Sequence, residues 1–472
     1  MTFDIDYQVS PKRIITSVLA GAFISTIFLL VFYPGFLSND SIFSWKQAVS
    51  QHYDTIKPPL MALIQRIFYL FSPSGEATIA SFSWVQGTLL WSAIFMAIAL
   101  TTRTWRALIV CSLLMLCLMP LWVHTNVHWT DMWVFAFAYF GLFSFFELFR
   151  SGFVSTKWLL TGSLFFFISI SIRYNAVSSL PLVAVAWYFY LQKRRALKAV
   201  PRVFLSTMAC VVIIIASKAF LLMPGVEEKP SMIRFALYNQ YLGTIVNSDP
   251  DVREKLIAQE KPYYDAAFGE GTLEASIPLY LFSGNGAMFW PKDALIGFGN
   301  IMNNGQFIVD RLPHVVWQSP KGFMRHKMKY ITGQLNNSAE YFPMHPYVDK
   351  NIFNVFLSPK IPGYEWTVST LTALKTSFIF KHWPALLLGL VALVMNWRRQ
   401  NILLLTIYIF GVLYAVPYMV SETGLEWRYL LPSYISGYLV FFVGTYSFIE
   451  SFFKKGSHQS VKTKRLQDHQ QN

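Results

Sequence analysis

The side chains best able to do chemistry crowd into one stretch, Tyr33 to Leu60, YPGFLSNDSIFSWKQAVSQHYDTIKPPL. It holds Asp40, Lys46, His52, Asp54 and Lys57, interleaved with Trp45, Tyr53 and the pair Pro58-Pro59. Ser38 or Asn39 can cap a helix here, which sets Asp40 in its first turn. A carboxylate so placed is either a general base or simply an acid favoured by the helix dipole. His52, Asp54 and Lys57 precede two prolines that hold Lys57 extended. A compact ammonium there suits a phosphate; a solvated turn is the plainer reading.

Farther on, His124, His128 and Asp131 fall in HTNVHWTD. Histidines at i and i+4 suit a metal on one helical face, but the glutamate of an HExxH helix is missing. Trp122, Trp129 and Trp133 instead mark an interfacial aromatic belt. Arg173 interrupts an apolar run, where a charge is costly and is paired, functional or snorkelling to the boundary. Glu422, Glu426 and Arg428 cluster before the last apolar run; Arg428 can grip a phosphate bidentately or pair with Glu426.

The scaffold for these residues is a membrane bundle. Of 472 residues, 54% are hydrophobic and only 14% charged, against about 25% charged in a soluble domain; mean hydropathy is +0.40. Ten segments suit a membrane span of about 20 residues: 14–36, 79–101, 105–121, 131–149, 157–172, 175–191, 203–223, 382–396, 401–420 and 429–450. The first is too long for a signal-peptide core and lacks a cleavage site, so it reads as a retained span. Cys111, Cys117 and Cys210 all fall within apolar runs, which excludes a disulfide framework.

Basic clusters alternate with the spans: Lys12 and Arg13, Arg103 and Arg106, Arg150 and Lys157, Lys193 to Arg202, Arg398 and Arg399, and the tail. All fall on one side if both termini are cytoplasmic. Topology, rather than nucleic acid, thus accounts for the net charge of +14. The expected fold is an all-α polytopic membrane protein of about 10 transmembrane helices. It divides into an N-terminal bundle (1–223) with its first outer loop (37–78), a mixed periplasmic domain (224–378), C-terminal spans (379–453) and a cytoplasmic tail (454–472). Ser41 to Ser50 and Pro59 to Phe71 read as amphipathic helices in the membrane interface. Val252 to Gln259 and Pro320 to Gln334 also look helical.

Five stretches, in their order and setting, resemble the bacterial GT-C glycosyltransferases: SNDSIFSWKQA (Ser38 to Ala48), YDTIKPPLMAL (Tyr53 to Leu63), HWTDMWVFAFAYF (His128 to Phe140), RYNA (Arg173 to Ala176) and EWRYLLP (Glu426 to Pro432). The resemblance implies an inner-membrane enzyme with a periplasmic active site. Its donor would be a polyprenyl-phosphate-linked hexose and its acceptor a lipid-linked or envelope glycan, with glucosylation of O-antigen as the analogy. Asp40 would be the base, and Lys57, Arg173 and Arg428 would hold the donor phosphate. His52, Asp54, His128, Asp131, Glu422 and Glu426 would be further substrate contacts. Many members carry two adjacent acids in the first outer loop, whereas here Asn39 precedes Asp40. That departure favours a site without metal or other cofactor, a divalent ion staying open. One rival reading is a polymerase or ligase using a pyrophosphate-linked oligosaccharide. Another is a transporter, for which mid-bilayer charges and internal repeats would be expected; neither is evident here.

Overall fold

The computed structural model describes residues 10–72, 74–194, 198–229, 232–280, 294–336, 352–397, 401–421 and 427–470, the last stretch as backbone only beyond Ser451. The protein is an α-helical polytopic membrane protein. Among the described residues, five helices are each long and apolar enough to cross a bilayer: α1 (Pro11–Val31), α4 (Gly75–Thr101), α7 (Thr130–Arg150), α10 (Ala199–Ser217, continued by a 3₁₀ turn to Leu222) and α19 (Ile402–Ser421). Shorter apolar helices α8 (Thr156–Ile172), α9 (Leu180–Lys193) and α18 (His382–Met395) lie among them, and α20 (Leu431–Gln470) closes the chain. α1 packs closely on α4 because both carry small residues: a Cβ on Gly21 would sit 2.5 Å from Ser92 Oγ.

The segment 105–121, expected as one span, is broken. α5 (Trp105–Leu116) and α6 (Pro120–Asn126) meet at 80°. Pro120 supplies no N–H, and Trp122 Nε1 donates to the Leu116 carbonyl at 2.6 Å near the break. The sixth expected span begins with a 3₁₀ turn, Tyr174–Ser179, before α9. Arg13, assigned to a basic topology cluster, is also structural: it is buried and donates to the Thr102 carbonyl at 2.6 Å and Thr102 Oγ1 at 2.8 Å.

The loop expected to be the first outer one folds as two helices, α2 (Asn39–Ser50) and α3 (Leu60–Phe71). α3 buries Met61, Ala62 and Gln65 while leaving Ile67, Leu70 and Phe71 exposed, as an interfacial helix does. Between them β1 (Tyr53–Asp54) pairs in parallel with β2 (Val226–Glu227), tying this loop to the start of the outer segment. That segment contains α11 (Ile233–Val246), α12 (Pro250–Phe268), α13 (Thr272–Leu279), α14 (Phe298–Asn304), α15 (Gln306–Gln318) and α16 (Pro320–Asn336). Apart from β2, its described regular structure is helical. Its core is separate from that of the spans and centres on Tyr238, Tyr241, Leu242, Leu256 and Tyr264. Beside it the buried Glu260 carboxylate takes two hydrogen bonds from Arg311, at 3.0 and 2.6 Å. After 352–361, α17 (Tyr364–Leu374) leads back to the spans.

Candidate active site

Asp40 is delivered by a turn that its own sequence builds. The chain leaves α1 through Gly35 at φ +123°, where a Cβ would collide with Ser83 Oγ. Phe36 then bonds Asn126 and His128 through its backbone: Phe36 N to the Asn126 carbonyl at 2.8 Å, and His128 N to the Phe36 carbonyl at 3.2 Å. Ser38 caps α2 in a reciprocal capping box with Ser41. Trp129 Nε1 donates to Ser38 Oγ and Ser41 Oγ to the His128 carbonyl, both at 2.9 Å. Asp40 is therefore fixed in the first helical turn, as its spacing from Ser38 indicated.

Two cations meet its carboxylate. Lys57 Nζ lies 2.7 Å from Oδ1, and Arg428 Nη2 donates to Oδ2. Burial alone would raise the pKa of Asp40, but Arg428 and Lys57 outweigh it and hold the carboxyl well below the usual range. Protein surrounds the group, yet 42% of its side-chain surface stays open to solvent. Arg428 is nearly closed off, at 7%, and its guanidinium stacks over Trp129, 4.8 Å from the ring centre. Burial lowers the Lys57 pKa, and Arg428 and Arg173 push the same way against the pull of Asp40.

Arg173 belongs to an adjoining cluster. Its Nη1 reaches Asp131 Oδ2 at 2.9 Å and Thr130 Oγ1 at 2.8 Å. Asp131 is fully buried; its Oδ1 accepts hydroxyls from Tyr414 at 2.9 Å and Tyr418 at 3.4 Å. Burial alone would lower the Arg173 pKa, but Asp131 raises it above the usual value. One ring joins the clusters. Arg173 and Arg428 lie 5.4 and 5.3 Å from the centre of Tyr429, which stacks on Tyr418 at 4.6 Å. Sequence reasoning missed Tyr414, Tyr418 and Tyr429; the i, i+4 tyrosines inside an apolar span were the available signal.

Asp40, Lys57, Arg428 and Arg173 are thus brought together, with Asp131 behind them. The other expected contacts are elsewhere. His52 is exposed on the loop beyond α2. Asp54 is buried, and its Oδ1 accepts from Ile56 N at 3.0 Å, which makes it a turn former before the prolines. His128 is not presented to a ligand. Its Nδ1 accepts from Trp45 Nε1 at 2.9 Å, and its Nε2 meets Ser83 Oγ at 2.7 Å, with Ser83 donating to the Pro34 carbonyl. Burial pushes its pKa down to about 3, so the ring is a neutral strut beneath α2. Glu422 and Glu426 lie outside the described residues. Among those described, no group of three or more His, Cys, Asp or Glu is arranged to hold a metal ion.

No protein-family model matches the chain, and no curated protein matches it. Among solved structures it is similar to a crystal structure of ArnT from Cupriavidus metallidurans bound to undecaprenyl phosphate. The identity is 13% and the TM-score 0.30, over 92% of this chain and 77% of that one. A superposition that loose assigns no residue of this chain a counterpart.

Proposed function

We propose that this chain is a membrane glycosyltransferase of the GT-C type, moving a sugar from a polyprenyl-phosphate donor to an envelope glycan. The observation that carries this reading is the convergence of charged groups at one end of the bundle. Lys57 and Arg428 meet on Asp40, with the Arg173–Asp131 pair beside them. Three cations gathered around one solvent-open carboxylate suit a sugar phosphodiester next to a general base. The interfacial helix α3 belongs to the same loop as Asp40 and Lys57 and offers an apolar face at the level where a prenyl chain would lie.

Asp40 takes the proton of the acceptor hydroxyl as that oxygen attacks the anomeric carbon. The bond from this carbon to the phosphate oxygen breaks, and its electron pair leaves with the prenyl phosphate. The second negative charge that develops there is stabilised by Lys57, Arg428 and Arg173. A single displacement with one base inverts the anomeric centre. Clamped by two cations, Asp40 is a weak base. A phosphate that draws Lys57 and Arg428 toward itself makes it a stronger one. The site needs no metal for these steps, and a divalent ion at Asp40 would have to displace two cations. Hexose transfer, with glucose to O-antigen as the specific case, is taken by analogy from the GT-C resemblance. The same reading has an inner-membrane enzyme with cytoplasmic termini and a periplasmic site.

Purified protein in vesicles, given a polyprenyl-phosphate hexose and a glycan acceptor, should transfer the labelled sugar. Activity only with pyrophosphate-linked oligosaccharides would overturn the reading in favour of a polymerase or ligase.

A further inference from the structure

α16 is a basic helix with no acidic residue along its length: Lys321, Arg325, Lys327 and Lys329 stand among apolar and neutral side chains. One stripe, Gly322, His326, Tyr330 and Gln334, is buried at helical spacing against the outer unit. The opposite stripe is open. Met324 and Met328 are each 56% exposed, Lys321, Arg325 and Lys329 flank them, and Trp317 at the end of α15 is 86% exposed. Arg325 pairs with Asp249, which Lys321 also faces at longer range, and Lys329 Nζ donates to Asn247 Oδ1, so the exposed basic residues of this stripe outnumber the carboxylate beside them.

The height of this helix relative to the bilayer follows from its contacts. Lys327 Nζ donates to the Val420 carbonyl at 2.7 Å, and Gln240 Nε2 of α11 donates to the same oxygen at 2.9 Å. Val420 is the penultimate residue of the membrane helix α19. α16 is therefore held at the membrane end of that span, the end from which the chain runs on to Arg428. At that depth lipid headgroups are the nearest surroundings, and exposed methionines and a tryptophan edged by lysines match them in polarity and charge.

We propose that the open face of α16, with Trp317, docks on anionic lipid headgroups and seats the outer unit on the bilayer. This is independent of the reaction assigned to the Asp40 site. A soluble acidic partner protein is the competing occupant.

The test uses full-length protein with Met324→Cys, and Cys111, Cys117 and Cys210 replaced by Ser, spin-labelled at residue 324. It is reconstituted in phosphatidylcholine vesicles or in an equimolar mixture with phosphatidylglycerol. The label should be reached by oxygen dissolved in lipid and shielded from a water-soluble nickel chelate, more strongly with phosphatidylglycerol. Each basic residue at an anionic surface contributes a factor of roughly 5, so Lys321→Gln with Lys329→Gln should cut the phosphatidylglycerol-dependent gain by roughly 25-fold. A label equally open to the nickel reagent in both lipids would overturn the proposal. So would one shielded from both reagents whatever the lipid, which would point to a protein partner. If the cysteine-free chain fails to fold, hydrogen exchange of 320–336 in the unmodified protein decides. Slower exchange with phosphatidylglycerol is expected, and equal rates overturn the idea.

Discussion

Arg428 donates to the Asp40 carboxylate across 388 residues of chain, joining the last described turn before α20 to the first turn of α2. Neither residue has this partner within its own element. The pair exists only when the first outer loop and the C-terminal helices are packed on one another.

Asp40→Asn keeps the size of the side chain and removes the proton acceptor. Turnover should fall by roughly 10²–10⁴-fold, the usual contribution of a general base, while insertion and folding persist. Asp54→Asn should leave turnover nearly intact, because an amide oxygen can accept from Ile56 N just as the carboxylate does. Near-normal transfer by purified Asp40→Asn would remove Asp40 from the chemistry.

Arg428→Ala should weaken donor use more than acceptor use. Removing one member of a desolvated charge pair typically costs about 2–5 kcal/mol. Separate titrations of donor and acceptor would read the difference, and an equal loss for both would argue against a phosphate role.

Arg173→Gln should lose stability as well as activity. Asp131 is fully buried and would be left without its cation, and breaking such a pair costs about 3–5 kcal/mol. Adding Asp131→Asn should restore much of the stability but not the activity. Thermal melts of the single and double variants in detergent test this.

Acid should weaken the protein partly through Asp40. Its folded pKa is depressed, so its contribution to stability is complete above the ordinary carboxylate pKa of about 4. It is lost as pH falls from there toward the lower folded value. Asp40→Asn should flatten this acid limb of a melting-temperature profile, and an unchanged limb would assign it to other carboxylates.

His128→Ala should destabilise without altering any metal response. It leaves the buried Trp45 N–H without its acceptor, at about 1–3 kcal/mol for an unsatisfied group, while Ser83 keeps its bond to the Pro34 carbonyl. A chelator should leave transfer unchanged in the parent protein, and inhibition reversed by added divalent ion would contradict the metal-free mechanism.

Local patterns made much of this legible. A cap at Ser38 or Asn39, Asp40 in the first turn, the amphipathic stretch Pro59 to Phe71 and the helical stretch Pro320 to Gln334 are all short-range features, and the structure has them, with Ser38 as the cap. Arg173 stood out because a charge in an apolar run demands a partner. That the partner is Asp131, 42 residues away, depends on how α7 and the chain after α8 pack, which periodicity does not encode. The same is true of Tyr429, whose importance lies in two guanidiniums arriving from distant segments. His128 was expected as a substrate contact, whereas its neighbours in the structure, Trp45 and Ser83, lie on other elements that the sequence does not bring together. The break at Pro120 was not read from the sequence, because 105–121 is apolar throughout and hydropathy does not register where a helix turns.

The separate core of the outer unit has a consequence for biosynthesis. The core residues named for it lie between Tyr238 and Tyr264, before α18 to α20 in the chain, so this unit can assemble while the ribosome is still making the last helices. Asp40 and Lys57 are made early and Arg428 late. During translation the early carboxylate and ammonium have only each other, and the charge network closes when the C-terminal hairpin docks. A chain truncated before Arg428 should therefore retain a folded outer unit and an Asp40 carboxylate held by Lys57 without Arg428.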